Sequence, residues 1–148
     1  MANCSYERLK QYLDAYGWVY RFDGSNVFYS GWRSVNRTYS LRVEVKESFI
    51  LFEVKLLGLS ELLEKKHRKN MMEYLVQLNQ KISVAKLGMS DDGMVLLLVE
   101  VFNDNFSYDH LSKVLGLIGY YSEMIHSDIL EIVGTLTGQA SYLPRYLI

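Results

Sequence analysis

The stretch Leu78-Asn79-Gln80-Lys81-Ile82-Ser83-Val84-Ala85-Lys86-Leu87-Gly88-Met89-Ser90-Asp91-Asp92-Gly93-Met94-Val95-Leu96-Leu97-Leu98-Val99-Glu100-Val101-Phe102 decides how this chain folds. Leu78-Asn79 closes a helical stripe, Ser83 to Met89 reads as a strand, and Ser90-Asp91-Asp92-Gly93 is turn chemistry. Met94 to Phe102 is apolar at every position except Glu100. Such a strand is expected to be covered on both faces, one by a helix and the other by a second layer.

Upstream of this unit, Met71, Leu75 and Leu78 make one helical stripe that ends near Gln80, with Gly58-Leu59-Ser60 offering a break and an N-cap. Phe49 to Leu57 puts Ile50, Phe52, Val54 and Leu56 on one face and Glu53 and Lys55 on the other. Tyr39, Leu41, Val43 and Val45 alternate with Ser40, Arg42, Glu44 and Lys46, the pattern of an antiparallel strand with one wet face. Trp18, Tyr20 and Phe22 start a hairpin that turns at Asp23-Gly24-Ser25-Asn26 into Val27-Phe28-Tyr29, and Gly31 to Asn36 reads as a loop. A first helix carries Leu9, Tyr12, Leu13 and Tyr16, with Asn3 or Ser5 as N-cap and Gly17 as stop. Downstream, Leu111, Leu115, Ile118, Ile125, Ile129 and Ile132 form a long stripe from near Ser107 to Val133, and Gly134 to Gly138 loosens the chain. The fold class is α+β, an antiparallel sheet in the order α-β-β-β-β-α-β-β-α. The 148 residues, 49% of them apolar, suit one domain with a core over about 4–133 and an apolar tail over 134–148.

A formal net charge of -1 gives no global field toward nucleic acid or an anionic membrane. Cys4 is the only cysteine, and the first residues lack a basic segment followed by an apolar run, so a reducing cytoplasm is the expected compartment. No apolar run approaches the ~20 residues of a membrane-spanning helix.

Catalytic and metal chemistry finds no footing. His110 and His126 lie ~24 Å apart along one helix at ~1.5 Å of rise per residue, so they share no ion, and the histidines read as solvated or capping. Cys4 has no partner at zinc-site spacing. Asp91-Asp92-Gly93 is an ordinary turn, and Asp104, Asn105 and Ser107 are turn and cap residues. Gly116 and Gly119 fall inside a helical stripe, where a close-packing neighbour is expected to explain them. No nucleophile elbow or phosphate loop occurs. Lys65, Lys66, Arg68 and Lys69 are the one basic patch, and Glu61, Glu64 and Glu73 flank it at pairing distance, so nucleic acid is not the expected partner. No cofactor is expected.

With Trp18 opening the first strand, Leu78-Asn79 ending the middle helix, Leu87-Gly88 before an Asp-Asp-Gly turn, and an apolar strand after it, the chain resembles the YbjN-like family, whose fold is similar to type III secretion chaperones. The resemblance covers the element order up to about Val133. It departs in having four strands before the middle helix, where those chaperones commonly have three, and in its tail after Gly134. The resemblance implies a non-enzymatic homodimer that binds other proteins, loosely assigned to stress or sensory regulation, with no catalytic residues.

A homodimer is also what the doubly apolar strand suggests, because a stable interface needs ~800 Å² from each partner. Met94, Leu96 and Leu98 with Ile118 and Ile125 are its expected contacts. Phe49, Leu51, Leu57, Tyr142 and Tyr146 are the expected contacts with a client protein or peptide. The alternative is a small-molecule sensor with a pocket between sheet and last helix, lined by Trp18, Tyr39 and Tyr121.

Overall fold

The computed structural model describes residues 4–34 and 37–138, so Tyr142 and Tyr146 lie outside the described residues. The elements are α1 (Tyr6–Tyr16), β1 (Tyr20–Phe22), β2 (Val27–Arg33), β3 (Thr38–Val45), β4 (Phe49–Gly58), a 3-10 turn at Leu59–Glu61, α2 (Lys65–Asn79), β5 (Ala85–Met89), β6 (Met94–Phe102) and α3 (Tyr108–Thr137). The strands pair antiparallel throughout, in the order β1-β2-β3-β4-β6-β5, with four strands before α2.

Directly opposed residues share a face, so the register sorts the sheet into two surfaces. One row runs Phe22, Phe28, Val43, Phe52, Val99, Ala85, and the next runs Tyr20, Ser30, Leu41, Val54, Leu97, Leu87. Apart from Ser30, these strand residues join or pack against one core with Leu9 and Leu13 of α1, Met71 and Leu75 of α2, and Leu111, Ile118 and Ile125 of α3. The helices therefore cover a single face. Ile118 and Ile125, expected at a dimer interface, are buried inside the protomer, since α3 uses that stripe to seat on the sheet.

Local chemistry explains most boundaries. Ser5 caps α1 by accepting from the Arg8 N–H, and Gly17 ends it in the left-handed region at φ 88°. Ser107 and His110 form a capping box at the start of α3. Gly134 does not loosen the chain: α3 continues through it to Thr137, and Gly138 is the C-cap. At Gly116 and Gly119 an added Cβ would meet nothing within 4 Å, so among the described residues the expected close-packing neighbour is absent.

Three segments depart from the sequence pattern. Gly31 to Arg33 extend β2 instead of looping; Gly31 lies opposite Ser40, and a Cβ on it would fall 2.6 Å from the Tyr39 carbonyl oxygen. Ser60 is not a helix cap, because the buried Leu59 and Leu63 draw their segment into the core and delay α2 to Lys65, with Glu64 in the cap position. β5 begins at Ala85, since Val84 takes a positive φ of 69°. The Leu78-Asn79 pair gains a physical role: the Asn79 amide accepts from the Leu87 N–H at 2.6 Å and donates to the Leu87 carbonyl at 3.3 Å. It occupies both backbone groups of Leu87 on the outer edge of β5, where another strand would otherwise pair.

Candidate binding face of the sheet

Among the described residues, no helix lies over the second face of the sheet. Along β6, Val95, Leu97 and Val99 point into the core and are fully buried, while Met94, Leu96 and Leu98 alternate onto the opposite face and stay half-exposed. Phe49 and Leu51 of β4 share that face. The sequence expectation that Met94 to Phe102 is covered on both sides is corrected for the protomer: helices cover one side only.

Phe49 and Phe102 are register partners with ring centroids 5.0 Å apart, and Phe102 is 68% exposed. Leu51 lies between Glu44 and Glu100, and Leu98 between Glu53 and Lys86. The row Gly31, Ser40, Lys55, Leu96, Gly88 runs from β2 to β5, across every strand except β1. With small residues at both ends it makes a shallow trough, and a concavity of about 230 Å³ opens beside it among Tyr29, Ser40, Arg42, Glu53 and Lys55.

Charges of both signs separate the apolar patches. Arg42 pairs with Glu44 at 2.6 Å and Glu53 at 3.8 Å, Lys46 approaches Glu100 at 3.9 Å, and the Arg21 guanidinium lies 4.6 Å from the Tyr29 ring centre. Burial pushes the Arg42 guanidinium toward deprotonation, but the hydrogen bonds it donates to Glu44 and Tyr29, with the Glu44 and Glu53 charges, outweigh burial and hold it charged. The face thus offers apolar side chains and satisfied charges, which suits reversible contact with polypeptide.

Leu57 does not belong to this set. A bulge between Lys55 and Leu57 sets Leu57 opposite the core residue Val95, and it packs against the core. Phe102 was the residue sequence analysis missed, although it has the same parity as Met94, Leu96 and Leu98. Of the rings expected to line a small-molecule pocket, Tyr39 is buried with its hydroxyl donating to the Ser122 carbonyl, Trp18 packs at a tilt against Trp32, and Tyr121 lines a concavity between α2 and α3.

Elsewhere, Lys66 pairs with Glu64 at 3.3 Å in the basic start of α2. His110 caps α3, whereas His126 is neither solvated nor capping: it is buried and accepts from Arg37 through Nε2. Among the described residues no group of three or more His, Cys, Asp or Glu could hold a metal ion, and no helix is long and apolar enough to cross a membrane.

The fold of this chain, an antiparallel sheet built α-β-β-β-β-α-β-β-α, matches that of YbjN and of type III secretion chaperones. A chain of the ExsC–ExsE complex superposes with a TM-score of 0.62 at 12% identity, over 82% of this chain and 90% of that one. YbjN from E. coli gives 0.58 at 17% identity, over 86% and 90%. A chain of the heterodimeric ExoU–SpcU complex from the type III secretion system of Pseudomonas aeruginosa gives 0.54 at 22% identity, over 82% and 94%. No protein-family model and no curated protein matches this chain.

Proposed function

We propose that this chain is a non-enzymatic, chaperone-like module that works as a homodimer in the cytoplasm and holds an extended segment of a client protein on the open face of its sheet. The observation that carries this reading is the half-exposed set Phe49, Leu51, Met94, Leu96, Leu98 and Phe102, gathered on one face and interleaved with paired charges. Several solved structures of similar fold, though not YbjN, are complexes with partner proteins, which supports a protein ligand. The free thiol of Cys4 is buried, which suits a reducing compartment.

Met94, Leu96 and Leu98 lie on the same face as Phe49 and Leu51, so a dimer through that face would exclude the client. The dimer contact is therefore assigned to α2. Met72 and Val76 are one turn apart there and exposed, over a shallow concavity bordered by Lys65, Lys69 and Glu73. Both charge signs on one stripe allow two copies to pair about a two-fold axis.

The test compares wild type with Leu96→Glu and Val76→Glu by light scattering and by polypeptide co-purified from the native cell. Wild type and Leu96→Glu are expected at dimer mass, Val76→Glu at monomer mass, with the bound polypeptide lost only from Leu96→Glu. A monomeric wild type at micromolar concentration rejects the dimer. Unchanged co-purification with Leu96→Glu rejects the sheet face as the client surface.

A further inference from the structure

A second concavity lies on the helical side of the molecule, between α2 and α3, with a volume of about 370 Å³. Tyr74, Tyr120 and Tyr121 contribute aromatic surface to it, with Met124, Lys81 and Asp128. Tyr120 and Tyr121 stand with ring centres 5.6 Å apart at 52°, and Tyr120 is 65% exposed. The Tyr121 hydroxyl is fixed by accepting from the Ser83 N–H at 2.9 Å. One residue on, Val84 holds a left-handed backbone unusual for a β-branched side chain and is itself exposed.

The cleft sets one carboxylate, Asp128, against one cation, Lys81, without an ion pair between them. None of the ion pairs among the described residues involves Asp128 or Glu131. Burial, and then the Glu131 charge, raise the Asp128 carboxyl above its ordinary value, opposed by a hydrogen bond from Tyr74 and by the Lys81 charge. Burial, Asp128 and Glu131 together push the Tyr74 hydroxyl up to about 12, so it stays a neutral donor. Aromatic faces attract cations through their quadrupoles, and a desolvated carboxylate beside them adds a direct counter-charge.

We infer that the cleft between α2 and α3 is a binding site for a small organic cation, an ammonium or guanidinium compound, held between the Tyr120 and Tyr121 rings and the Asp128 carboxylate. The volume is within the range of small-ligand sites, ~300–1,000 Å³. Lys81 is the opposing group, and it makes the site testable in sign: removing its charge strengthens binding. The site is distinct from the sheet face and stands whether or not a client binds there.

The experiment uses the full-length protein labelled at methionine methyl groups and titrated with choline chloride, followed by the Met124 resonance. The uncharged isostere 3,3-dimethylbutan-1-ol and an arginine-containing tripeptide form parallel arms. Choline is expected to give a saturable shift, and the isostere to bind about tenfold more weakly or not at all. Asp128→Asn, which keeps a partner for Tyr74, and Tyr120→Leu, at an exposed position, should each weaken choline by about fivefold to tenfold. Lys81→Met should tighten it. A tripeptide that outcompetes choline tenfold or more would transfer the site to a peptide side chain and overturn the small-molecule assignment. Equal binding of choline and its isostere, no saturable shift, or weaker binding by Lys81→Met would overturn the site itself.

Discussion

β4 and β6 present two faces made from alternate residues of the same strands, and those faces have opposite characters. Toward the helices stand Ile50, Phe52, Val54, Val95, Leu97 and Val99, all fully buried. Away from them stand Phe49, Leu51, Glu53, Lys55, Leu96, Leu98 and Glu100, none fully buried. The covered face excludes charge because burying an unpaired one is costly. The open face spaces leucines and phenylalanines among paired ions, which keeps it compatible with water while leaving apolar area for a partner. The interruption of the apolar run at Glu100 marks which side of β6 is wet.

The sharpest way to break this comparison is to truncate neighbours of opposite parity. Leu97→Ala should lose ~2–5 kcal/mol of stability, as for a fully buried leucine that leaves a cavity. Leu98→Ala should lose under about 1 kcal/mol, because the side chain is already partly solvated. Urea denaturation at a concentration where the protein is monomeric measures both. Equal losses would mean that something covers the second face after all.

A smaller effect sharpens the description of the covered side, where α3 brings His126 against β3. Burial, and then the Arg37 cation, lower the His126 pKa to about 4 from 6.5. The fold thus holds the neutral imidazole, and the unfolded chain binds a proton first as pH falls. The stabilisation is full above about pH 6.5 and is lost progressively down to pH 4, a change of roughly 3 kcal/mol. His126→Gln keeps an acceptor for Arg37 and should flatten that part of the stability–pH curve. A wild-type curve already flat between pH 4 and 6.5 would show that the imidazole is solvated.

How much of this was legible in the sequence depended on whether one strand could be read alone. The alternation in β3 and β4 identified the inward residues correctly, because a period of two survives any neighbour. Which helical stripe meets the sheet is a tertiary matter, so Ile118 and Ile125 looked as available to a partner as any apolar pair. The bulge at Lys55/Leu57 was hidden because Leu56 and Leu57 are the same residue type, and an extra leucine changes no composition. The late start of α2 was hidden because helix propensity is permissive from Ser60 onward, and only the burial of Leu59 and Leu63 overrides it. The Asn79 contact to Leu87 joins a motif to an edge strand eight residues away, which no local period reveals.

Gly31 tests whether every open-face position is tolerant. It lies in the trough row, yet a Cβ there would press on the Tyr39 backbone carbonyl, which has no flexible end to yield. Gly31→Ala should therefore cost ~1–3 kcal/mol, in the manner of an overpacked site, despite its exposure. Gly88 in the same row would meet only the Cδ1 of Leu98 at 3.3 Å, so Gly88→Ala should cost less, and urea midpoints of the two variants give the order. A reversed order would place the close strand approach at β5.

The smallest effect is expected from the ion pairs that keep the open face wet. Arg42 touches Glu44 and Glu53 with about a third of its side chain exposed, so solvent screens both pairs and Arg42→Gln should change stability by ~1 kcal/mol or less. Its consequence belongs to binding instead. With Arg42 removed, Glu44 and Glu53 stay beside Leu51 and Leu98 as unneutralised carboxylates, and a client segment covering those leucines must desolvate them. Client retention should fall while the melting temperature holds. A variant that loses stability and keeps its client would reverse the roles assigned to the two faces.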